Sequence, residues 1–293
     1  MRARFVESAT ALLEDDPRTA LVLADISAAE FRPAARRHPD RVVNVGIREQ
    51  LMVGVAGGLA LTGLRPIVHS YATFAIDRAY EQLKLDLDHQ GAGAVVVTVG
   101  ASYDGSTAGR THQSPGDVAL FDTLAGDWTV HVPGHADEVS PLLRAAAAGD
   151  DPVYIRLSTG HNAKAHATGP RLTTIKQGTH EAPLVVAVGP LLDATIKATE
   201  GLDVTVAYTN TPRPFDAAGL RALANQDVIM VEPYLKGTTA ALVAEALSDR
   251  PHRALHLGVG RRELRRYGTP KDHARWHGLD APGLRGEISA FLG

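Results

Sequence analysis

Two segments of the 293-residue chain combine chemically capable side chains with a place for them to act. In Val45-Gly46-Ile47-Arg48-Glu49-Gln50 an apolar run ends in a glycine, and a carboxylate opens the helical stretch Glu49 to Leu61, which is almost wholly apolar. The helix dipole favours negative charge at a helix start, which by itself accounts for an acid there. The apolar stretch behind it nevertheless sets Glu49 at the edge of a buried layer, where a carboxylate either accepts a strong hydrogen bond or changes its proton affinity. The second segment, Asp104 to Asp117 (DGSTAGRTHQSPGD), is a long polar loop following the apolar run Ala94 to Val99. Loops at the carboxyl ends of strands are where α/β sheets bind ligands. Arg110 and His112 are the chemical groups of this loop, although a simple turn hydrogen bond accounts for a loop histidine equally well.

Other chemistries lack their signatures. No G-x-G-x-x-G follows a strand, and there is no P-loop, H-E-x-x-H or G-x-S-x-G, which argues against a dehydrogenase, a kinase, a zinc protease or a hydrolase. The absence of cysteine removes thiolate metal sites, disulfide frameworks and cysteine nucleophiles together. Among the 13 histidines, His131 and His135 are interrupted by Pro133 and Gly134 and cannot share a helix face. His273 and His277 can, but with only Asp272 and Asp280 as nearby acids a surface role is the simpler account, and no metal site is expected in this chain. The basic run Arg261, Arg262, Arg265 and Arg266 reads as a solvated helix face or an interdomain contact.

The elements that must position these groups follow from apolar patterning. Runs rich in Val and Ile occur at Ala20 to Ala24, Val42 to Val45, Pro66 to His69, Ala94 to Val99, Thr129 to Val132 and Val153 to Leu157. Helix-length stretches such as Glu49 to Leu61, Phe74 to His89 and Ala136 to Ala148 lie between them, so the pattern predicts a layered α/β domain with a mainly parallel sheet. Thr159 to Pro183 is polar and carries Gly160, Gly169, Pro170 and Gly178, which reads as a linker. The alternation then resumes with runs at Leu184 to Val188, Val204 to Tyr208, Val228 to Val231 and Ala254 to Val259. Two layered α/β domains are therefore expected, at 1–160 and 183–293, joined by a linker at 161–182.

With 30 basic and 33 acidic residues the net charge is −3, which leaves no electrostatic footprint for nucleic acid or an anionic membrane surface. The first ten residues, MRARFVESAT, have no apolar run behind their basic groups, so the expected location is cytoplasmic. Leu51 to Leu61 is about half the length that crosses a bilayer and reads as a core helix.

Four segments stand in order over about 110 residues: Gly46-Ile47-Arg48-Glu49-Gln50, then Tyr71-Ala72-Thr73-Phe74 running on through Asp77-Arg78-Ala79-Tyr80, then Thr111-His112-Gln113, then Pro152-Val153-Tyr154-Ile155-Arg156. With Val231-Glu232 and Gly237 in the second half, they resemble the thiamine diphosphate enzymes of the transketolase family, specifically the pyrimidine-binding and C-terminal domains. In that family a glutamate bonds the cofactor's pyrimidine nitrogen so that the cofactor's own amino group can take the thiazolium proton, and Glu49 matches it. The resemblance also implies that Phe74 stacks on the pyrimidine, with Tyr80, Asp25 and Ile47 at the cofactor. Core filling remains the other account of Phe74 and Tyr80, and helix capping that of Asp25. His112 matches the histidine at the substrate carbonyl, while Arg4 and Arg156 match phosphate-binding arginines, with Arg110 beside them.

Two departures from the family pattern matter. Where the family usually has D-G-P-T-H, this chain has Ala108-Gly109-Arg110-Thr111-His112. Ala108 cannot accept a hydrogen bond from a sugar hydroxyl and Arg110 adds a cation, which points to an altered or anionic substrate. The family also holds the cofactor diphosphate through Mg²⁺ on a separate domain bearing G-D-G and a downstream Asn, oxygen ligands suited to that hard cation. Tyr103-Asp104-Gly105 lacks the first glycine, and no Asn follows at the required interval. The resemblance therefore implies a split transketolase in which an N-terminal, diphosphate-binding subunit supplies Mg²⁺ and the rest of the cofactor site, with a homodimer of this chain inside a heterotetramer. The expected reaction moves a two-carbon ketol unit from a small phosphorylated sugar to an aldehyde. The beta subunit of a 2-oxo acid dehydrogenase, a decarboxylating synthase and a non-catalytic assembly subunit are the competing readings.

Overall fold

The computed structural model describes residues 1–293 and places them around two sheets. The first contains β1 (Thr19–Leu23), β2 (Val42–Asn44), β3 (Arg65–Tyr71), β4 (Val95–Val99), β5 (Thr129–His131) and β6 (Val153–Arg156). Their order is β2-β1-β3-β4-β6-β5, with every pair parallel. Side chains alternate across these strands, so each strand feeds two cores. Leu21, Leu23, Ile67, Val95 and Val97 meet Phe5, Leu13, Phe31 and Leu143 on one face. Val22, Val68 and Val96 meet Met52, Val53, Ile76 and Leu87 on the other. The first face is covered by helix α1 (Arg2–Asp15), helix α2 (Ala28–Arg37) and the helix Ala136–Ala148, and the second by helix α3 (Glu49–Leu61) and the stretch Thr73–His89. Burial on both faces explains why these strands read as unbroken apolar runs.

The second sheet contains β7 (Thr173–Lys176), β8 (Leu184–Val188), β9 (Thr205–Thr209), β10 (Asp227–Leu235) and β11 (Arg253–Val259), ordered β11-β10-β8-β9-β7. Strand β7 is antiparallel to β9 and falls inside the segment that the sequence reads as linker. Its residues Thr173-Thr174-Ile175-Lys176 are half-buried or exposed, as befits an edge strand. The stretch expected as one helix from Phe74 to His89 is instead two π-helical turns, Thr73–Arg78 and Leu83–His89, around a short α segment, Tyr80–Gln82. It packs closely on α3: a Cβ at Gly57 would stand 2.5 Å from the Asp86 carbonyl oxygen, so glycine is required there. No helix is long and apolar enough to cross a membrane.

Two histidines are built into this scaffold as neutral groups. His69 on β3 is fully buried, with Nδ1 2.9 Å from the Val97 carbonyl and Nε2 2.9 Å from Ser27 Oγ, and burial pulls its imidazole down to about 4. His131 on β5 is pulled to about 4 by the same cause. Because the unfolded imidazoles titrate near 6.5, the unfolded chain binds more protons between that value and 4, and stability falls as pH drops through this window. Denaturant unfolding at pH 7.5 and pH 5 should show a loss of about 2 kcal/mol per histidine. His69→Gln should remove its own share of that difference, and an unchanged pH slope in this variant would count against the assignment.

Candidate active site

The site begins at the carboxyl ends of β1, β2 and β3. Asn44 Oδ1 accepts from the backbone N–H groups of Asp25 (3.0 Å) and Gly46 (3.1 Å), and its Nδ2 donates to Asp25 Oδ1 (3.1 Å). Gly46 turns the chain at φ +72°, a conformation that glycine adopts without strain. The turn delivers Glu49 as the first residue of α3. Asp25 is solvent-exposed and its side chain caps no helix; it braces the turn before Glu49.

Glu49 is 1% exposed and both of its oxygens are engaged. Ser70 Oγ, from the end of β3, donates to Oε1 at 2.9 Å, and Arg78 Nη1 donates to Oε2 at 3.0 Å. The Arg78 guanidinium carbon lies 4.1 Å from the centre of the Phe74 ring. Phe74 in turn meets the His112 ring edge-on at 5.1 Å, and Tyr71 lies 5.6 Å from His112 and 6.0 Å from Phe74. The polar loop therefore returns to the strand ends and sets His112 against the aromatic group beside the buried carboxylate. Its backbone is held tightly, since a Cβ at Gly105 would come within 2.9 Å of the His112 carbonyl oxygen.

Other expected site residues lie elsewhere. Ile47 is 70% exposed on the surface beside Glu49. The Tyr80 hydroxyl bonds Thr123, among Ile76, Leu83 and Phe121, and is not part of the Phe74–His112 group. Arg110 donates through Nε to Glu263 of the second half (2.7 Å) and through Nη1 to the Gln113 carbonyl (2.9 Å). Arg4 pairs with Glu7 and Asp137 on the surface of α1. Arg156 is 1% exposed, with Nε on Asp117 (2.7 Å) and Nη2 on Ser102 (2.7 Å), and it lines a cavity of about 160 Å³ between the two halves. Tyr103 stacks on His273 in the same junction, with ring centres 3.8 Å apart, and its hydroxyl is 3.1 Å from His277 Nε2.

A larger cavity of about 460 Å³ opens at the ends of β3, β4 and β6, lined by Met1, Arg2, Tyr71, Gly100, Ser158 and His161. Gly100 makes room for Tyr71, whose ring a Cβ there would overlap. Arg2 is the cation in this wall that motif spacing passes over. Its Nε donates to Ser27 Oγ at 2.9 Å and its Nη2 pairs with Glu30 at 2.8 Å, and the Ser27 hydroxyl bonds His69 Nε2, whose Nδ1–H is turned to Val97. Arg2 and Arg4 stand about 200° apart on the helix, and only Arg2 lines this cavity.

Residues 1–163 match the family described as "transketolase, pyrimidine binding domain". The chain belongs to the transketolase family. A transketolase relative from Actinobacillus succinogenes, the B subunit of an apulose-4-phosphate transketolase, is 32% identical over 281 residues, covering 90% of this chain and 89% of that protein. An uncharacterised 33.6 kDa protein of the fasciation locus of Rhodococcoides fascians is 51% identical over 300 residues, covering 100% of this chain and 95% of its own length. The 1-deoxy-D-xylulose-5-phosphate synthase of Magnetococcus marinus is 30% identical, but this chain spans only 49% of its length. Among solved structures, a split-gene transketolase described as an inactive beta4 tetramer superposes with a TM-score of 0.85 at 25% identity, covering 99% of this chain and 97% of that one. The transketolase fold thus extends over both sheets, and relatives exist as separate subunits of similar length.

Proposed function

We propose that this chain is the pyrimidine-binding subunit of a two-component transketolase, transferring a two-carbon ketol unit from a ketose phosphate to an aldehyde acceptor. The observation that carries the reading is the convergence of Glu49, Phe74 and His112 on one cluster at the strand ends. The donor set suits thiamine diphosphate: a buried carboxylate for a ring nitrogen and an aromatic face for a flat ring. Thiamine diphosphate supplies the carbon nucleophile of the reaction. Glu49 holds the pyrimidine nitrogen, Phe74 fixes the plane of the ring, and His112 with its Thr111 neighbour faces the substrate carbonyl and its proton. Diphosphate and Mg²⁺ belong to a partner subunit, since the G-D-G and Asn pattern is missing here. The Actinobacillus relative, itself one subunit of a transketolase, supports that division of labour. The split-gene transketolase relative described as a beta4 tetramer supports self-association of this chain within a heterotetramer.

In this reading Arg2 holds the phosphate end of the donor in the larger cavity, while Arg156, committed to Asp117 and Ser102, lines the smaller cavity between the two halves. Arg4 and Arg110 lie outside that cavity, paired to Asp137 and Glu263, whereas Arg2 would exchange its Glu30 contact for the phosphate. Arg2→Ala should raise KM for a phosphorylated donor by about 10- to 100-fold, the loss of one hydrogen bond to a charged group, while leaving a non-phosphorylated donor nearly unaffected. An equal effect on both donors would remove Arg2 from phosphate recognition.

The second reading is a decarboxylating enzyme, favoured by Ala108 in place of the family aspartate and by the similarity to 1-deoxy-D-xylulose-5-phosphate synthases. Supplying the reconstituted pair with either a ketose phosphate or pyruvate separates the two. Release of an aldose phosphate supports ketol transfer; CO₂ release without turnover of the ketose phosphate overturns it in favour of the second reading.

A further inference from the structure

The Arg78 guanidinium makes at once the two contacts just assigned to the aminopyrimidine ring. The guanidinium carbon lies over the Phe74 ring, 4.1 Å from the centre, and its Nη1–H donates to Glu49 Oε2 at 3.0 Å. A guanidinium is a planar, delocalised hydrogen-bond donor that stacks on aromatic faces, so among side chains it is the nearest match to a flat ring nitrogen heterocycle. A pyrimidine ring laid on that side of Phe74 would stand where the guanidinium stands.

We propose that Arg78 is a placeholder for the cofactor's pyrimidine ring, closing the slot in the cofactor-free chain and leaving it when thiamine diphosphate enters. The inference rests on the reading of Glu49 and Phe74 as the pyrimidine site.

Three features of the fold fit a group that comes and goes. The Arg78 side chain is 39% exposed whereas Glu49 is 1% exposed, so the cation has a path to water that the carboxylate lacks. Arg78 ends the π-helical turn Thr73–Arg78, and the next residue, Ala79, has left helical geometry at φ −99° and ψ +19°. Ser70 keeps its hydrogen bond to the other oxygen, Oε1, so Glu49 stays oriented after the cation leaves. The placeholder also spares a cofactor-free chain the cost of burying an unpaired carboxylate. A residue that stays on Glu49 in the loaded enzyme, supporting it from behind, would behave in the opposite way when removed.

Apparent affinity is the intrinsic affinity reduced by the fraction of molecules whose slot is open. If Arg78 is seated in nine molecules of ten, removing it tightens binding about tenfold. The test is titration calorimetry of thiamine diphosphate with Mg²⁺ into the complex of this chain with its diphosphate-binding partner, using wild type, Arg78→Ala and Arg78→Gln, with thermal unfolding of each cofactor-free chain alongside. Arg78→Ala should bind the cofactor about tenfold more tightly and melt at a lower temperature without it, with Arg78→Gln between the two. Arg78→Gln keeps the bulk of the side chain and carries the comparison if the alanine variant does not fold. Unchanged or weaker binding by the variants, with wild type binding normally, overturns the placeholder and leaves the pyrimidine site standing. Absence of binding by wild type and variants alike overturns the pyrimidine site and the placeholder with it.

Discussion

Replacing Glu49 by glutamine should reduce turnover of the reconstituted enzyme by about 100- to 10,000-fold, the range for removal of a group that manages a proton in the transition state. The substitution preserves volume, and the amide oxygen can still accept the Ser70 hydroxyl. It removes the charge and the ability to exchange a proton with a ring nitrogen. Assembly with the partner should survive, because Glu49 is buried and its contacts are internal to this chain. Turnover measured beside size-exclusion chromatography separates the outcomes: a large loss of rate in an intact complex supports the catalytic reading, whereas an unchanged rate would make this chain an assembly component without chemistry.

The largest effect on stability should come from Asp117. Its Oδ2 accepts from Arg156 Nε and from the Tyr154 hydroxyl, both at 2.7 Å, and Arg156 and Asp117 are essentially without solvent contact. Breaking a buried ion pair from one side leaves an uncompensated charge, so Asp117→Ala should cost about 3–5 kcal/mol in denaturant unfolding. Replacing both partners, as in Asp117→Leu with Arg156→Met, should recover most of that loss, since a pair of apolar residues carries no such penalty. The damage should also reach the junction of the two halves. Arg156 Nη2 donates to Ser102 Oγ, whose hydroxyl bonds the Pro233 carbonyl on β10. A loss below about 1 kcal/mol in Asp117→Ala would mean that the pair is weakly coupled to folding, in the manner of a surface ion pair.

The residues that position the site were legible to different degrees. The strands stand out because they are buried on both faces, which leaves Val and Ile little alternative. Glu49 could be found because the apolar helix behind it sets the carboxylate at the edge of a buried layer, which a favourable helix dipole alone does not require, and its burial matches that expectation. Strand β7 was hidden by its own position: an edge strand half in water is written in polar residues, so Thr173 to Lys176 reads as linker. The π-helical turns beginning at Thr73 leave no mark in composition, since a local change of hydrogen-bond register needs no special residue. Arg4 and Arg2 both pair with surface acids from different sides of α1, and a motif read without its helix does not show that only Arg2 lines the cavity. Arg156 looks available at a strand end, yet its partner Asp117 stands 39 positions earlier in the chain, and only the folded sheet brings the two together. Arg78 sits inside a recognisable motif, but its pairing with Glu49 across 29 positions is a tertiary fact.

A chain that holds half of a thiamine diphosphate site needs a second polypeptide to complete it, and mixing decides this most directly. The chain and a candidate partner bearing G-D-G and its downstream Asn are assayed alone and together for ketol transfer from a ketose phosphate, with thiamine diphosphate and Mg²⁺ present. Turnover is expected only from the mixture, in a complex containing both chains. Turnover by this chain alone, or none by a mixture that has assembled and bound the cofactor, would contradict the proposed division of the site.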